Sequence, residues 1–151
     1  MTQKALLAKK GFTMPELLVA VLLLISIFTG AMLIFVNCLE LSDLASNSSA
    51  AILAAKNKLT EITNTPVSQI YTNYNNIAFN INGLNGKGVS YVNNADPSLL
   101  SVTVVIGWKQ GNGRLIGEDV DLDGQLDPGE DKNGNNRLDS LVQLITLKYG
   151  T

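Results

Sequence analysis

Carboxylate side chains alternate along residues 119–130: acids occupy the first, third, fifth, ninth and twelfth positions, and Gly124 occupies the sixth. Calcium takes about six to eight oxygen ligands, and acids at alternate positions of a tight loop converge on one point. Glycine at the sixth position permits the positive φ that such a bend needs. The spacing therefore predicts a calcium site. Its ligands would be Asp119, Asp121, Asp123, the backbone carbonyl of Gln125, Asp127 (directly or through water) and Glu130.

The competing interpretation of residues 119–130 is an acidic, solvated hairpin loop without an ion. Four carboxylates fall within the nine residues 119–127. They repel one another unless a cation neutralises them, which favours the metal site. Strand-like sequence precedes and follows the stretch, where an EF-hand would have helices. The stretch therefore resembles a calcium loop carried by a hairpin, like those of dockerin and thrombospondin type 3 repeats.

A second, less complete loop follows directly at residues 131–142. Oxygen donors again occupy the first, third, fifth and ninth positions, but Asn136 stands at the sixth and Val142 at the twelfth. Asparagine tolerates the left-handed conformation. The missing carboxylate would have to be borrowed, with a bidentate Asp139 or a shared Glu130 as candidates, and a plain Asn/Gly turn is the alternative. The possible ligands of this second site are Asp131, Asn133, Asn135 and Asp139.

An ion in these loops would stabilise the fold and not catalyse a reaction. The chain has no histidine and one cysteine, Cys38. The common Ser-His and Cys-His nucleophile pairs are therefore absent, and no intrachain disulfide can form. We accordingly expect that the protein is not an enzyme. Calcium that binds only the folded form stabilises it by mass action, which suits a small domain without disulfides.

A small antiparallel sheet is predicted to hold the loops. Residues 101–109 are rich in β-branched side chains and end near Trp108, which makes them the clearest strand. Residues 140–149 form their natural partner on the other side of the loops. The remaining segments are interpreted as a loop at 66–74, an alternating strand at 77–81, a turn at 82–88, a return strand at 89–92 and a turn at 93–98.

An uncharged apolar segment, residues 17–36, is long enough to cross a bilayer as one helix, since about 20 apolar residues span the hydrocarbon. Lysines precede the segment and acids follow it. By the positive-inside rule, residues 1–11 stay in the cytoplasm and the carboxy-terminal part is exported. Glu16 lies at the start of the segment, where a carboxylate is costly without a partner cation.

The helix is predicted to continue beyond the membrane. Apolar residues recur at steps of one, three or four between 41 and 62, so this half has one face suited to a core. Pro66 ends it. The predicted fold class is α+β, a long N-terminal helix (membrane half plus amphipathic half) packed on a small antiparallel β-sheet. The predicted organisation is a leader at 1–11, the membrane half of the helix at 12–39 and a head at 40–151, with helix at 40–64, sheet at 76–149 and the loop insertion at 117–139.

Gly11, Phe12 and Glu16 lie in order between the basic leader and the apolar segment. This arrangement resembles the class III signal of type IV pilins and type II secretion pseudopilins, although the usual aliphatic at the fourth mature position is Pro15, which a first helical turn tolerates. The resemblance implies cleavage after Gly11 by a prepilin peptidase and methylation of Phe12. It also implies that Glu16 meets the terminal amine of a neighbouring subunit. Residues 50–62 and the final strands further resemble PilV-type minor pilins.

The resemblance implies a minor pilin or pseudopilin, a structural subunit of a type IV pilus or secretion pseudopilus. Its partners would be other pilin or pseudopilin subunits, the prepilin peptidase, the inner membrane and the assembly platform. It would cross the inner membrane once, with its head outside the cytoplasm, before joining the filament. The alternative is a membrane-anchored cell-surface protein for calcium-dependent binding or adhesion. The net charge of −2, which becomes −5 without the three leader lysines, gives no basis for binding nucleic acid.

Overall fold

The computed structural model describes residues 11–96 and 98–149 of the chain, so residues 1–10 of the predicted leader lie outside the described part. The fold is α+β, as predicted: one long amino-terminal helix and a small antiparallel sheet. The chain divides into two compact units at the boundary between residues 41 and 42. The elements in chain order are α1 (Met14–Asn64), α2 (Val67–Tyr74), β1 (Ile77–Asn80), β2 (Gly86–Asp96), β3 (Leu99–Lys109), β4 (Leu115–Ile116) and β5 (Val142–Tyr149).

Helix α1 begins directly after Thr13, which closes its first turn. The carbonyl of Thr13 accepts a hydrogen bond from the N–H of Leu17 at 3.1 Å. The Oε2 atom of Glu16 lies 3.5 Å from the backbone nitrogen of Thr13, which is one of the two contacts of a capping box. Pro15 lies in the first turn, where its missing N–H has no partner to lose. The predicted start at residue 12 is therefore two residues too early.

In the first unit, apolar side chains cover every side of α1. The described side chains between residues 11 and 41 are exposed around the whole helix. Among the described residues, α1 is the one helix that is long and apolar enough to cross a membrane. An all-round apolar helix of this length is suited to lipid. The unit is thus compatible with a single membrane span.

In the second unit, β3 is the centre of an antiparallel sheet. β2 pairs with one edge of β3, from Gly86 opposite Trp108 onwards. β5 pairs with the other edge, with Ile106 opposite Val142. β1 lies beyond β2, and β4 pairs with the last residues of β3. The predicted pairing of the last strand with the strand that ends in Lys109 is confirmed.

The two faces of the sheet bury different clusters because successive side chains of a strand point to opposite faces. We call the face towards the helices the inner face. It contains the alternate β3 residues Val102, Val104 and Ile106, and the carboxy-terminal part of α1 packs on it through buried residues such as Ala55 and Ile62. We call the opposite face the outer face; it carries a separate buried cluster made by Val89, Tyr91, Val105 and Leu138.

The structure corrects the prediction of a loop at residues 66–74. Pro66 ends α1 as predicted, but its carbonyl accepts a hydrogen bond from Gln69 at 2.9 Å and starts α2 directly. Val67, Ile70 and Tyr74 recur at helical spacing and face the inner core, where Ile70 is fully buried. This short amphipathic pattern was available in the sequence, and packing stabilises it.

Two further strand predictions need correction. β2 runs on to Asp96, through most of the predicted turn at 93–98, because its pairing with β3 continues past an irregularity between Asn93 and Asp96. The two-residue strand β4 was not predicted; it forms because Ile116 lies opposite Trp108 at the end of β3. Both features depend on pairing between strands and not on local propensity.

Candidate metal centre

The carboxylates of Asp119, Asp121 and Asp123 converge in the structure. Each offers an oxygen, and these three atoms lie within 4.8 Å of one another. Oδ2 of Asp119 accepts a hydrogen bond from the backbone N–H of Gly124 at 2.9 Å, and Oδ1 accepts one from Asp123 at 3.2 Å. Oδ1 of Asp121 accepts from the same N–H of Asp123. The first, third and fifth positions of the predicted loop thus form a cluster of three aspartates that could bind a metal ion.

Gly124 is required at the sixth position for two separate reasons. Its φ is +81°, a region that favours glycine. In addition, a Cβ at this position would overlap the Cβ of Ala78 in β1. The loop therefore turns directly against the outer face of the sheet, and the predicted bend is confirmed. The φ of +60° at Leu122 is a second left-handed residue in the same turn, which the sequence pattern does not indicate.

Glu130 joins the two ends of the first loop. Its Oε1 atom accepts a hydrogen bond from the N–H of Val120 at 2.6 Å, and its Oε2 atom accepts one from Asp127 at 3.0 Å. The side chain is buried, with 5% of its surface exposed. The other two predicted ligands, Gln125 and Asp127, are exposed. The side-chain amide of Gln125 donates a hydrogen bond to Oδ2 of Asp123 at 3.2 Å. Asp127 contributes its backbone N–H to Glu130.

The pKa values of two acids of this loop, Asp119 and Asp127, are raised. The pKa of Asp119 is raised from its ordinary value, first by burial and then by the charge of Glu130, although backbone N–H donors partly oppose the rise. The pKa of Asp127 is raised by partial desolvation and by the charges of Asp123, Glu130 and Asp121. For both acids desolvation is the largest cause and neighbouring carboxylates add to it, and a bound cation would favour the ionised form of both side chains.

The second loop repeats the hydrogen bonds of the first, position by position. Oδ2 of Asp131 accepts from the N–H of Asn136 at 2.8 Å, and Oδ1 accepts from Asn135 at 3.0 Å. Oδ1 of Asn133 also accepts from the N–H of Asn135 at 3.1 Å. Asn136 takes φ +58°, the left-handed conformation predicted for it. The Oδ2 atom of Asp139 accepts from the side-chain amides of Asn133 and Asn135, at 2.6 and 2.8 Å.

Glu118 takes the place in the second loop that Glu130 takes in the first. Its Oε1 atom lies 3.3 Å from the N–H of Lys132, and its Oε2 atom accepts from Asp139 at 3.0 Å. These donors are the second and ninth residues of their loop, which are also the positions that bind Glu130 in the first loop. The predicted candidates for the borrowed carboxylate are Asp139 and Glu130; in the structure Glu118, which the prediction did not include, holds the position equivalent to that of Glu130.

A twelve-residue repeat in the sequence could have identified Glu118. Glu118 and Asp119 open one copy, and Glu130 and Asp131 open the next. Glu118 directly precedes the first loop and its side chain closes the second. Glu130 directly precedes the second loop and its side chain closes the first. Glu118 is nearly fully buried. We call residues 118–139 the double loop.

The comparisons with known proteins add no relative: no family model, curated protein or solved structure matches the chain. The candidate site is therefore defined by the described geometry. It establishes three converging aspartates in the first loop and a second loop with the same backbone hydrogen bonds. Oxygen-rich donor sets of this kind suit hard divalent cations.

The predicted processing and assembly residues lie in the first unit. Gly11 and Phe12 precede α1, and the side chain of Phe12 is 82% exposed. Glu16 is also exposed. Among the described residues, the ion pair formed is that of Lys58 with Glu61, at 2.9 Å on the second half of α1. Within that part of the chain, the carboxylate of Glu16 thus meets the backbone of Thr13 and no cationic side chain.

Proposed function

We propose that the chain is a subunit of a membrane-derived filament, of the minor pilin or pseudopilin class, with a head stabilised by calcium. The observation that carries this proposal is the extent of α1. One helix of 51 residues contains both the lipid-suited apolar segment and the buried residues Ala51, Ala55 and Ile62. The same helix thus supplies a segment suited to the core of a filament and a segment that packs in the head. The role is structural, and we expect no catalysis.

Glu16 supports the filament part of the proposal on physical grounds. A carboxylate at the start of an apolar helix is costly in lipid and needs a cation. Cleavage after Gly11 would create an amine at Phe12, and the amine of a neighbouring copy would supply that charge. The pairing would also set the axial position of one subunit against the next. The capping contact of Glu16 with Thr13 orients the carboxylate within its own chain.

Calcium is the ion that fits the double loop best. Magnesium demands near-ideal octahedral geometry, whereas calcium accepts a larger and more flexible set of oxygens. Zinc favours cysteine and histidine ligands, and the chain has no histidine and one cysteine, Cys38, outside the double loop. We propose one ion in each loop. The ligands of the first are those predicted from the sequence, and those of the second include Glu118.

Processing of the chain tests the filament proposal. The full-length gene is expressed in cells with an active prepilin peptidase, and the mass of the membrane-bound chain is measured. We expect a chain that starts at a methylated Phe12. Gly11→Val should leave the leader in place, and Thr13→Ser, two residues away, should not. A wild-type chain that still starts at Met1 would contradict the proposal.

A second candidate function is calcium-dependent binding at the cell surface by an anchored protein. One observation favours it. The outer face of β5 exposes Ile145, Leu147 and Tyr149, each by more than half of its surface, and exposed apolar patches often mark interaction sites. Under this candidate the chain would keep its leader residues, so the same mass measurement separates the two functions.

A further inference from the structure

The double loop covers part of the outer face with two leucines from equivalent positions. Leu126 is the eighth residue of the first loop and Leu138 the eighth of the second. Leu138 is 2% exposed and belongs to the cluster with Val89, Tyr91 and Val105, and Leu126 packs against that cluster. Burial of these side chains removes apolar surface of three strand residues from water. The same face remains uncovered farther along the sheet, at Ile145.

Few polar contacts attach the double loop to the outer face. The N–H of Leu138 donates to the hydroxyl of Tyr91 at 2.9 Å. The guanidinium of Arg137 lies over the ring of Tyr91, 5.5 Å from its centre. Most other hydrogen bonds of residues 118–139 join the loops to themselves, as between the carboxylate of Glu118 and Asp139. The loop therefore covers the sheet mainly through its own folded shape.

The folded double loop concentrates negative charge. Residues 118–139 carry eight carboxylates and two cationic side chains, a net side-chain charge of −6. Glu118, Asp119 and Glu130 are buried in the folded double loop. Without a cation, repulsion among these groups opposes the fold of the loops. Local segments with few attachments open more easily than the core to which they are attached.

The inner core contains no residue of the double loop. The cluster that joins α1, α2 and the sheet contains Trp108, Val104 and Ile62, each fully buried, and none of its residues belongs to residues 118–139. Strands β2, β3 and β5 are paired by backbone hydrogen bonds outside the loop. Opening of the loop would therefore leave the sheet and its inner face in place.

We propose that the double loop is a metal-responsive cover, which seals the apolar residues Val89, Tyr91 and Val105 when ions are bound and exposes them when the ions leave. The proposal rests on the calcium binding proposed above and adds a consequence for the sheet. Exposure would join this cluster to the uncovered strip on β5, so the head would gain a larger apolar surface at low calcium.

Thiol accessibility tests this cover in the full chain, purified in non-ionic detergent micelles. Cys38, which is exposed, is first replaced with Cys38→Ser. Val105→Cys then places a thiol under the cover. Val104→Cys, one residue away, places it on the inner face, and Ile145→Cys places it on the uncovered part of the outer face. A water-soluble maleimide is added with excess calcium or with chelator, and calorimetry on the same samples measures ion binding.

We expect labelling at Val105→Cys to be slow with calcium and at least about tenfold faster with chelator, as for a locally opening segment. Labelling at Val104→Cys should be slow both with calcium and with chelator. Labelling at Ile145→Cys should be fast in both. Val89→Cys on β2 repeats the measurement if Val105→Cys folds poorly. Ion binding without a change at either covered thiol would overturn the cover alone. Labelling of Val104→Cys with chelator would also overturn it, because the whole head would then be opening. Absence of ion binding would overturn both the cover and the proposed calcium sites.

Discussion

Glu118 and Glu130 each close the loop that the other precedes. Glu130 accepts hydrogen bonds from the second and ninth residues of the first loop, and Glu118 accepts them from the second and ninth residues of the second. The two loops are therefore interdependent, although each has its own set of oxygen donors. Loss of either glutamate should affect mainly the loop that it closes in space.

Replacement of these glutamates should weaken one site at a time. Calorimetry on the full chain should show two calcium sites in the wild type, and Glu118→Gln or Glu130→Gln should lower the affinity of one of them at least about tenfold, because ligand charge sets affinity. Asp43→Asn, an exposed acid on α1, is the matched control. Two unchanged sites in Glu118→Gln would refute the assignment of Glu118.

Removal of calcium should lower the melting temperature of the head. At calcium about 100 times above Kd, each site that binds only the folded state adds about 2.7 kcal/mol. For a head of this size, about 1 kcal/mol corresponds to a few degrees. Trp108 is the single tryptophan and is fully buried, so its fluorescence reports unfolding of the inner core. Equal melting temperatures in calcium and in chelator would argue against ion binding.

Gly124→Ala should destabilise the first loop by both strain and overlap. The positive φ costs about 1 kcal/mol for a residue with a Cβ, and the new methyl group would meet Ala78. Ala78→Gly in the same chain should recover the part due to overlap and leave the part due to strain. Chemical denaturation of the wild type, of each single variant and of the double variant measures the free energies of unfolding, from which the contributions of overlap and strain follow. If Ala78→Gly recovers nothing, the loop does not lie against β1 as described.

Tyr91 should make stability fall at alkaline pH. Burial, the largest cause, raises the pKa of Tyr91 above its ordinary value, and the hydrogen bond from Leu138 opposes this only in part. The folded state therefore favours the protonated phenol. The stability that this contributes is complete below about pH 10, the ordinary pKa, and is lost as the pH rises through the higher folded value.

Tyr91→Phe should remove that alkaline loss and lower stability near neutral pH by about 1 kcal/mol, since the N–H of Leu138 would lose its acceptor. The difference between the unfolding free energies of the two chains, measured from pH 8 to 11, isolates this one group. Tyr149→Phe, at a tyrosine that is 73% exposed, is the control. A difference that does not change with pH would show that the phenol is not favoured in its protonated form.

Glu16→Gln should separate processing from assembly. In the proposed function Gly11, and not Glu16, would be the cleavage site, so the leader should still be removed from this variant. Assembly should fail because the neutral amide cannot pair with the amine of Phe12 in the next subunit. The filament fraction sheared from cells is measured beside the mass of the membrane-bound chain. Glu40→Gln, beyond the apolar segment, should assemble normally, and normal assembly of Glu16→Gln would contradict the proposed role.

The apolar segment, the long helix and the strands on either side of the loops could be predicted from sequence because their signals are local. Hydropathy, helical period and β-branched alternation each act within one element. The converging aspartates could be predicted for the same reason, since alternate positions of a tight turn lie close together whatever surrounds them. Asn136 took its predicted left-handed conformation through its own side-chain chemistry.

Features that depend on residues distant in sequence needed the tertiary structure. Helix α2 exists because Ile70 finds a buried place in the inner core, and β4 exists because Ile116 meets Trp108. The carboxylate of Glu118 reaches the second loop only after both loops fold beside each other, and Leu138 becomes a cover only over Tyr91. The sequence alone determined which acidic residues could form a metal site and which apolar residues could enter lipid. The tertiary structure decided which loop each glutamate closes and which face the leucines cover, because these contacts join segments that no local pattern relates.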